Sequence, residues 1–164
     1  MARAKILIPG RTEHQVLAQV LEALRAWGID PVRRNTGAAT NPSGRLVMFG
    51  RKGDSDIQTI IPAGWTTPDG RDISGKVLQI EVKREGFVPA KARGKERERF
   101  RLQVAKLKQT CADGGYGFWA NDAIQAVRAI QLIRLGWRVE WDDDLPSMTD
   151  EEVGRESDLR ADAT

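Results

Sequence analysis

Ile80-Glu81-Val82-Lys83 sets a carboxylate and an ammonium group two residues apart inside an apolar run. Side chains on a strand alternate faces, so Glu81 and Lys83 would project together while Val82 points the other way. A further carboxylate, Asp56, opens the run Ile57-Gln58-Thr59-Ile60-Ile61-Pro62. If the two runs pair, the carboxylates of Asp56 and Glu81 converge. Two carboxylates and a backbone carbonyl make an oxygen-lined, partly open site suited to Mg2+, which keeps several waters and takes further ligands from phosphate. That ion would offset the charge of a phosphorane and lower the pKa of an attacking water. Lys83 would orient or deprotonate the water, or stabilise the developing negative charge. The alternative is an ordinary solvated Glu–Lys pair on the polar face of a strand. Against it stand Val77, Leu78, Ile80 and Val82, which mark the strand as largely buried, where isolated charge is costly.

The elements that must hold these residues can be read from periodicity and turn chemistry. Thr12, with Gln15 three residues on, forms a capping box, and Val16, Leu17, Val20, Leu21, Leu24 and Trp27 recur at helical spacing before Gly28. Residues 12–27 are predicted to be an amphipathic helix. Residues 29–35 are predicted to be a short strand before a loop rich in Gly, Ala, Thr, Asn and Pro, with residues 46–49 pairing with the next strand along the chain. A basic, glycine-bearing turn over 50–55 leads into a strand over 56–62, and a turn-rich stretch over 63–75 leads into a strand over 76–83. The spacing predicts an antiparallel pair joined by a long hairpin loop. Residues 83–101 carry eight basic side chains against three acidic ones, with Gly86, Pro89 and Gly94 holding off any helix until about Lys95. This reads as a mobile basic segment. A helix over 96–112, with Phe100, Val104 and Leu107 on its apolar stripe, ends at Gly114-Gly115, and residues 116–120 form a short strand. Asn121 is the expected N-cap of a last helix, 122–135, with Ile124, Val127 and Ile130, or Ala123, Ile130 and Ile133, as its stripe.

With 164 residues, 40% of them hydrophobic, the chain suffices for one packed core. No stretch has the length of a membrane span, and no basic segment with a long apolar run precedes the first helix, so a soluble, cytoplasmic protein is expected. A lone cysteine, Cys111, leaves no internal disulfide or thiolate zinc site, and a lone histidine, His14, excludes mechanisms that need a pair. The net charge of +3 conceals an asymmetry. From Glu140 onward ten acidic residues face two basic ones, a net of −8, so residues 1–139 carry +11, from 24 basic against 13 acidic. A basic body fits a polyanion, because each Lys or Arg placed on a phosphate releases condensed counterions. A thermophile's charged surface would give the same tally. The acidic tail, residues 140–164, is expected to be extended or partly helical and loosely ordered.

Gly53-Asp54-Ser55-Asp56-Ile57, followed by Ile80-Glu81-Val82-Lys83, resembles the PD-(D/E)XK nuclease motif, with Ser55 where that motif has proline. Arg33-Arg34-Asn35 with Gly37, the basic turn, and Gln103 eleven residues before Gly114-Gly115 resemble more narrowly the VRR-NUC branch found in phages and DNA-repair nucleases. The archaeal-type Holliday junction resolvases share this arrangement. The resemblance implies an α/β, restriction-endonuclease-like core over residues 1–139, a central mixed β-sheet flanked by helices in the order α-β-β-β-α-β-α. By the same resemblance Asp56 and Glu81 would be metal ligands, the Val82 carbonyl a third, and Lys83 the catalytic lysine. Glu13 matches the N-terminal acidic residue that completes the metal site, and Gln103 the residue that contacts the lysine or the water. Read from the residues alone, Glu13 is a first-turn carboxylate favoured by the helix dipole, Gln103 a surface glutamine and Asp54 a turn residue.

Arg33, Arg34, Arg51, Lys52, Arg84, Lys91, Arg93 and Lys95 would grip phosphates, whereas Arg97 and Arg99 alternate with Glu96 and Glu98 and fit a salt-bridged helix face. His14 either borders the site or is polar surface, and Cys111 reads as a small buried residue. Trp27, Trp65, Trp119, Trp137 and Trp141 read mainly as core or interface anchors, with Trp65, in the inter-strand loop, alone placed to be a base-stacking or junction-probing residue instead. The function expected is a structure-specific DNA endonuclease using Mg2+, with Mn2+ able to substitute: a Holliday junction resolvase acting as a homodimer through helix 122–135. If phage-encoded, it would work in the host cytoplasm. The other readings are a nickase, flap or end-processing nuclease of phage replication and repair, or a non-catalytic DNA-binding module of the same fold.

Overall fold

The computed structural model describes residues 10–33, 37–40, 43–44, 46–49 and 53–149. In chain order they form α1 (Glu13–Ala26), β1 (Val32–Arg33), β2 (Gly37–Thr40), β3 (Leu46–Phe49), β4 (Ile57–Ile60), β5 (Val77–Val82), α2 (Gly94–Ala112), β6 (Tyr116–Ala120), α3 (Ala123–Arg134), β7 (Arg138–Asp142) and β8 (Leu145–Thr149). A 3-10 turn, Pro89–Lys91, precedes α2.

Helix α1 begins where the capping box places it. The Gln15 N–H donates to the Thr12 hydroxyl at 3.3 Å, and the Thr12 N–H donates to Gln15 Oε1 at 2.9 Å. Such a cap contributes about 1 kcal/mol, whereas each of the buried Val16, Leu17, Val20 and Leu24 contributes roughly 1.5–3 kcal/mol, so packing holds the helix and the cap sets its first residue.

Strands β1, β4, β5 and β6 form a four-stranded mixed sheet in that order. The β1–β4 and β4–β5 pairs are antiparallel, the latter in register from Ile57 opposite Ile80 to Ile60 opposite Val77. β6 runs parallel to β5, with Glu81 opposite Trp119, and α2 supplies the crossover that a parallel pair requires. Alternation then divides the sheet. Ile57, Thr59, Leu78, Ile80, Val82 and Phe118 face α1 and α3, which pack on each other and on β5 and β6, and the main core lies there. Gln58, Gln79, Glu81 and Trp119 face the opposite way, toward α2. A smaller apolar cluster of Phe87, Ala92, Phe100 and Val104, with Trp119 against it, sits on that side.

Several elements depart from expectation. Residues 37–40, read as loop, pair antiparallel with Leu46–Phe49, so β3 joins the segment before it in the chain rather than β4 after it. The basic segment after Lys83 is anchored by the buried Phe87 and Ala92, and α2 starts at Gly94 rather than Glu96. Asp122, not Asn121, caps α3, accepting the Gln125 N–H at 2.7 Å. Its buried stripe is Ala126, Ala129, Ile130 and Ile133, while Ile124 is exposed, because small residues let α3 approach α1 closely. The expected break at 139/140 falls inside β7, and β7 pairs with β8 from Arg138–Thr149 to Asp142–Leu145. Asp143, at φ 47°, makes the turn, a left-handed conformation that aspartate tolerates. Buried Val139, with Trp141 and Met148, ties this hairpin to the core, and the Trp119 indole donates to the Asp144 carbonyl at 2.8 Å. Trp65 is buried too, its loop closed by the Thr66–Asp72 bridge and the Ile73 N–H to Trp65 carbonyl bond at 3.0 Å. A ring inside the core cannot stack on a base.

Candidate active site

Asp56 stands one residue before β4, and Glu81, Val82 and Lys83 lie at the end of β5, so antiparallel pairing brings all four to one end of the sheet. The Asp56 N–H donates to Glu81 Oε2 at 3.3 Å, and Asp56 Oδ2 accepts the Val82 N–H at 2.9 Å. These two bonds fix the carboxylates side by side. Ser55 is buried and donates through its hydroxyl to the Ile57 carbonyl at 3.1 Å, a hydrogen bond that holds the turn before β4.

Lys83 is only 6% exposed, Gln103 2% and Glu81 0%. The Lys83 Nζ donates to Glu81 Oε1 at 2.6 Å and to Gln103 Oε1 at 2.9 Å. Phe87 and Phe100 rings lie 5.8 and 5.7 Å from the same nitrogen, so two aromatic faces and two oxygens surround the cation. This is not a solvated surface pair. An ion pair of that burial is seldom retained for stability alone, since desolvation cancels most of its Coulombic gain.

Glu81 is pushed up to about 8 from an ordinary 4.5, first by burial, then by the Asp56 carboxylate, with Glu13 adding a smaller push. Lys83 pulls the other way through charge and hydrogen bond, and burial with Asp56 prevails. Buried and beside a second carboxylate, Glu81 therefore keeps its proton well above the ordinary carboxylate range. Among the described residues no group of three or more His, Cys, Asp and Glu side chains is placed to hold a metal by itself. Asp56 and Glu81 meet; Glu13, in the first turn of α1, acts on Glu81 through space. The α1 N-terminus is tied nearby, the Glu85 N–H donating to the Arg11 carbonyl at 3.0 Å and the Arg11 N–H to Glu85 Oε2 at 2.7 Å.

The expected phosphate-gripping residues scatter in role. Arg33, Lys91 and Lys95 are exposed. Arg84 pairs with Glu96 and lies 5.3 Å over the Phe87 ring. Arg93 donates to the Ala90 and Ala92 carbonyls at 2.7 and 2.9 Å, closing the 3-10 turn. Arg34, Arg51 and Lys52 lie outside the described residues, as does the chain from residue 150 on. His14 is exposed, and Cys111 is half-buried with Sγ accepting the Gly117 N–H at 3.3 Å. Sequence reasoning missed the aromatic pair around Lys83 and the ion pair of Asp54 with Lys106 on α2. No local pattern pointed to the latter, whose partners are 52 residues apart.

Among the described residues no helix is long and apolar enough to cross a membrane. Comparisons with family models, curated proteins and solved structures give no match for this chain.

Proposed function

We propose that the chain is a Mg2+-dependent DNA endonuclease with a restriction-endonuclease-like core, of the PD-(D/E)XK and VRR-NUC kind. The observation that carries this reading is a single constellation: Lys83 buried against Glu81 and Gln103, with Asp56 bonded to the Glu81–Val82 backbone and carboxylate. With the separate β2–β3 and β7–β8 pairs set aside, the four-stranded sheet and its helices follow in the order α1-β1-β4-β5-α2-β6-α3, which fits the arrangement that the motif resemblance implies.

The residues fit a hard divalent cation. Their donors are all oxygen, and Glu81 is a fully buried carboxylate crowded by two others, with too little positive charge around it. Asp56 and Glu81, with the Val82 carbonyl, would hold the ion, and Glu13 would act on it from α1. Bound there, Mg2+ would supply charge neutralisation at phosphorus and a water of lowered pKa. The chain does the rest. Lys83, kept in one orientation by Glu81, Gln103 and the two rings, donates hydrogen bonds toward the attacking water or a nonbridging phosphate oxygen.

Branched DNA is the substrate this reading favours, with the chain acting as a resolvase homodimer that sets two sites on two strands. The inner face of α3 is used within the chain, so the dimer contact draws on its outward Ile124 and Leu135 and on Leu145 of the hairpin. Mg2+-dependent cutting of a four-way junction is the test, with flap, nicked and linear duplex of matched sequence alongside. Asp56→Asn and Lys83→Ala should each slow cutting by at least about a hundredfold. Normal cutting by either variant removes the proposed centre, and equal rates on all four substrates remove the resolvase reading.

A further inference from the structure

Helix α2 offers the sheet more than Gln103. Three polar side chains along one stripe, at positions i, i+3 and i+7, each meet a residue of the catalytic face. Gln103 takes the Lys83 ammonium, Lys106 pairs with Asp54, and the Thr110 hydroxyl donates to Gln79 Oε1 at 2.9 Å. The middle contact reaches the turn that carries Asp56. Gly53, at φ +89°, seats that turn against the helix: a Cβ there would stand 3.3 Å from the Leu102 carbonyl oxygen and Cβ.

Asp54 is 13% exposed and Lys106 41%, so the carboxylate is the buried partner of the pair. A pair on an open surface would contribute little. Here the largely buried carboxylate lies two residues from Asp56, in the turn that leads into β4. Without the Lys106 ammonium, the largely buried Asp54 carboxylate would lose its charged tie to α2, and the Gly53–Asp56 turn would be held less closely to the helix. The two bonds of Asp56 to the Glu81–Val82 segment depend on where that turn sits.

We infer that Lys106 is a positioning residue: through Asp54 it fixes the turn that aims the Asp56 carboxylate, so that α2 orients both the lysine and the carboxylate half of the site. This inference rests on the nuclease reading above, and it also makes a claim about metal binding that needs no DNA. Displacements of about 1 Å at such a site cost up to a hundredfold in rate.

The test measures Mn2+ affinity by calorimetry and junction cutting under single-turnover and steady-state conditions. The proteins are wild type, Lys106→Met, Lys106→Arg, Asp54→Asn and the Asp54→Asn/Lys106→Met double variant. Lys106→Met should bind Mn2+ several-fold more weakly and lose about tenfold in kcat, with KM for DNA within about twofold. Arg at 106 should restore most of both, and the double variant should lose no more than the worse single one, because the two side chains act as one unit. Unchanged Mn2+ affinity and kcat in Lys106→Met overturns the inference. A loss confined to KM overturns it as well, making Lys106 a phosphate contact, and additive losses in the double variant deny the pairing. Wild type that binds Mn2+ but cuts no DNA overturns the nuclease reading alone, the variants' Mn2+ affinities then deciding the inference. Wild type that binds no Mn2+ overturns both.

Discussion

Glu81 holds a carboxylate where water cannot reach it, beside a second carboxylate and a lysine, and those opposed influences give it a measurable signature. Its folded value, about 8, lies above the ordinary 4.5, so the folded protein retains a proton that the unfolded chain releases. Stability from this group is fully present below about 4.5 and is lost as pH rises to about 8, each unit in between costing up to about 1.4 kcal/mol. Chemical denaturation of the metal-free protein should therefore show falling stability from pH 5 to pH 8, and Glu81→Gln should flatten that slope. Mg2+ at pH 8 should recover stability in the wild type, since it engages the ionised carboxylates, and should not do so in the variant. A slope that survives Glu81→Gln would trace to another group. The only histidine, His14, is exposed and offers the control.

Elements hold these residues by close approach, and Gly117 of β6 is the sharpest case. A Cβ there would run into the Leu107 carbonyl oxygen and stand 2.9 Å from the Leu107 Cα, all backbone of α2 with no flexible end to yield. Replacing a strand glycine by alanine would by chain entropy alone stabilise by about 0.4–1 kcal/mol. The clash should reverse the sign, Gly117→Ala losing about 1–3 kcal/mol in urea denaturation as α2 is lifted from β6. Stabilisation would mean that α2 does not rest on β6 as described. Which elements were legible depends on what sets each one. Helix α1, β4, β5 and β6 carry their own signals: a capping box, β-branched runs, a glycine stop. The charges of Glu81 and Lys83 could be placed on one face from period alone, and Asp56 beside them from the hairpin. Strand β2 could not be read, because Gly37-Ala38-Ala39-Thr40 has almost no strand preference and pairs only because Leu46–Phe49 lies opposite. Helix α3 misled through Ala126 and Ala129, where closeness to α1 rather than side-chain size decides what is buried. Trp65 could be read as a core anchor or as a base-stacking residue because turn residues surround it, and its burial depends on a loop folding back through long-range contacts. The Asp54–Lys106 pair spans 52 residues, a separation that no local pattern encodes.

Charge acts at the scale of the whole molecule. The described β7–β8 hairpin takes residues 140–149 into the packed body, so the acidic excess beyond it is smaller than residue 140 onward suggested. Residues 150–164 hold six acidic and two basic side chains, a net of −4, and removing them takes the formal charge from +3 to +7. If the body binds DNA by its Lys and Arg, those carboxylates oppose association by long-range repulsion and by competing for the same cations. A chain ending at Thr149 should then bind a labelled four-way junction several-fold more tightly at low salt, as read by fluorescence anisotropy. The gain should shrink as salt rises, because the screening length falls from about 10 Å at 0.1 M to about 3 Å at 1 M. The plot of log affinity against log salt should accordingly be steeper for the shortened chain. Equal affinity for the two chains at every salt concentration would show that the acidic segment neither repels the DNA nor masks the basic surface, and weaker binding by the shortened chain would give that segment a direct part in holding the substrate.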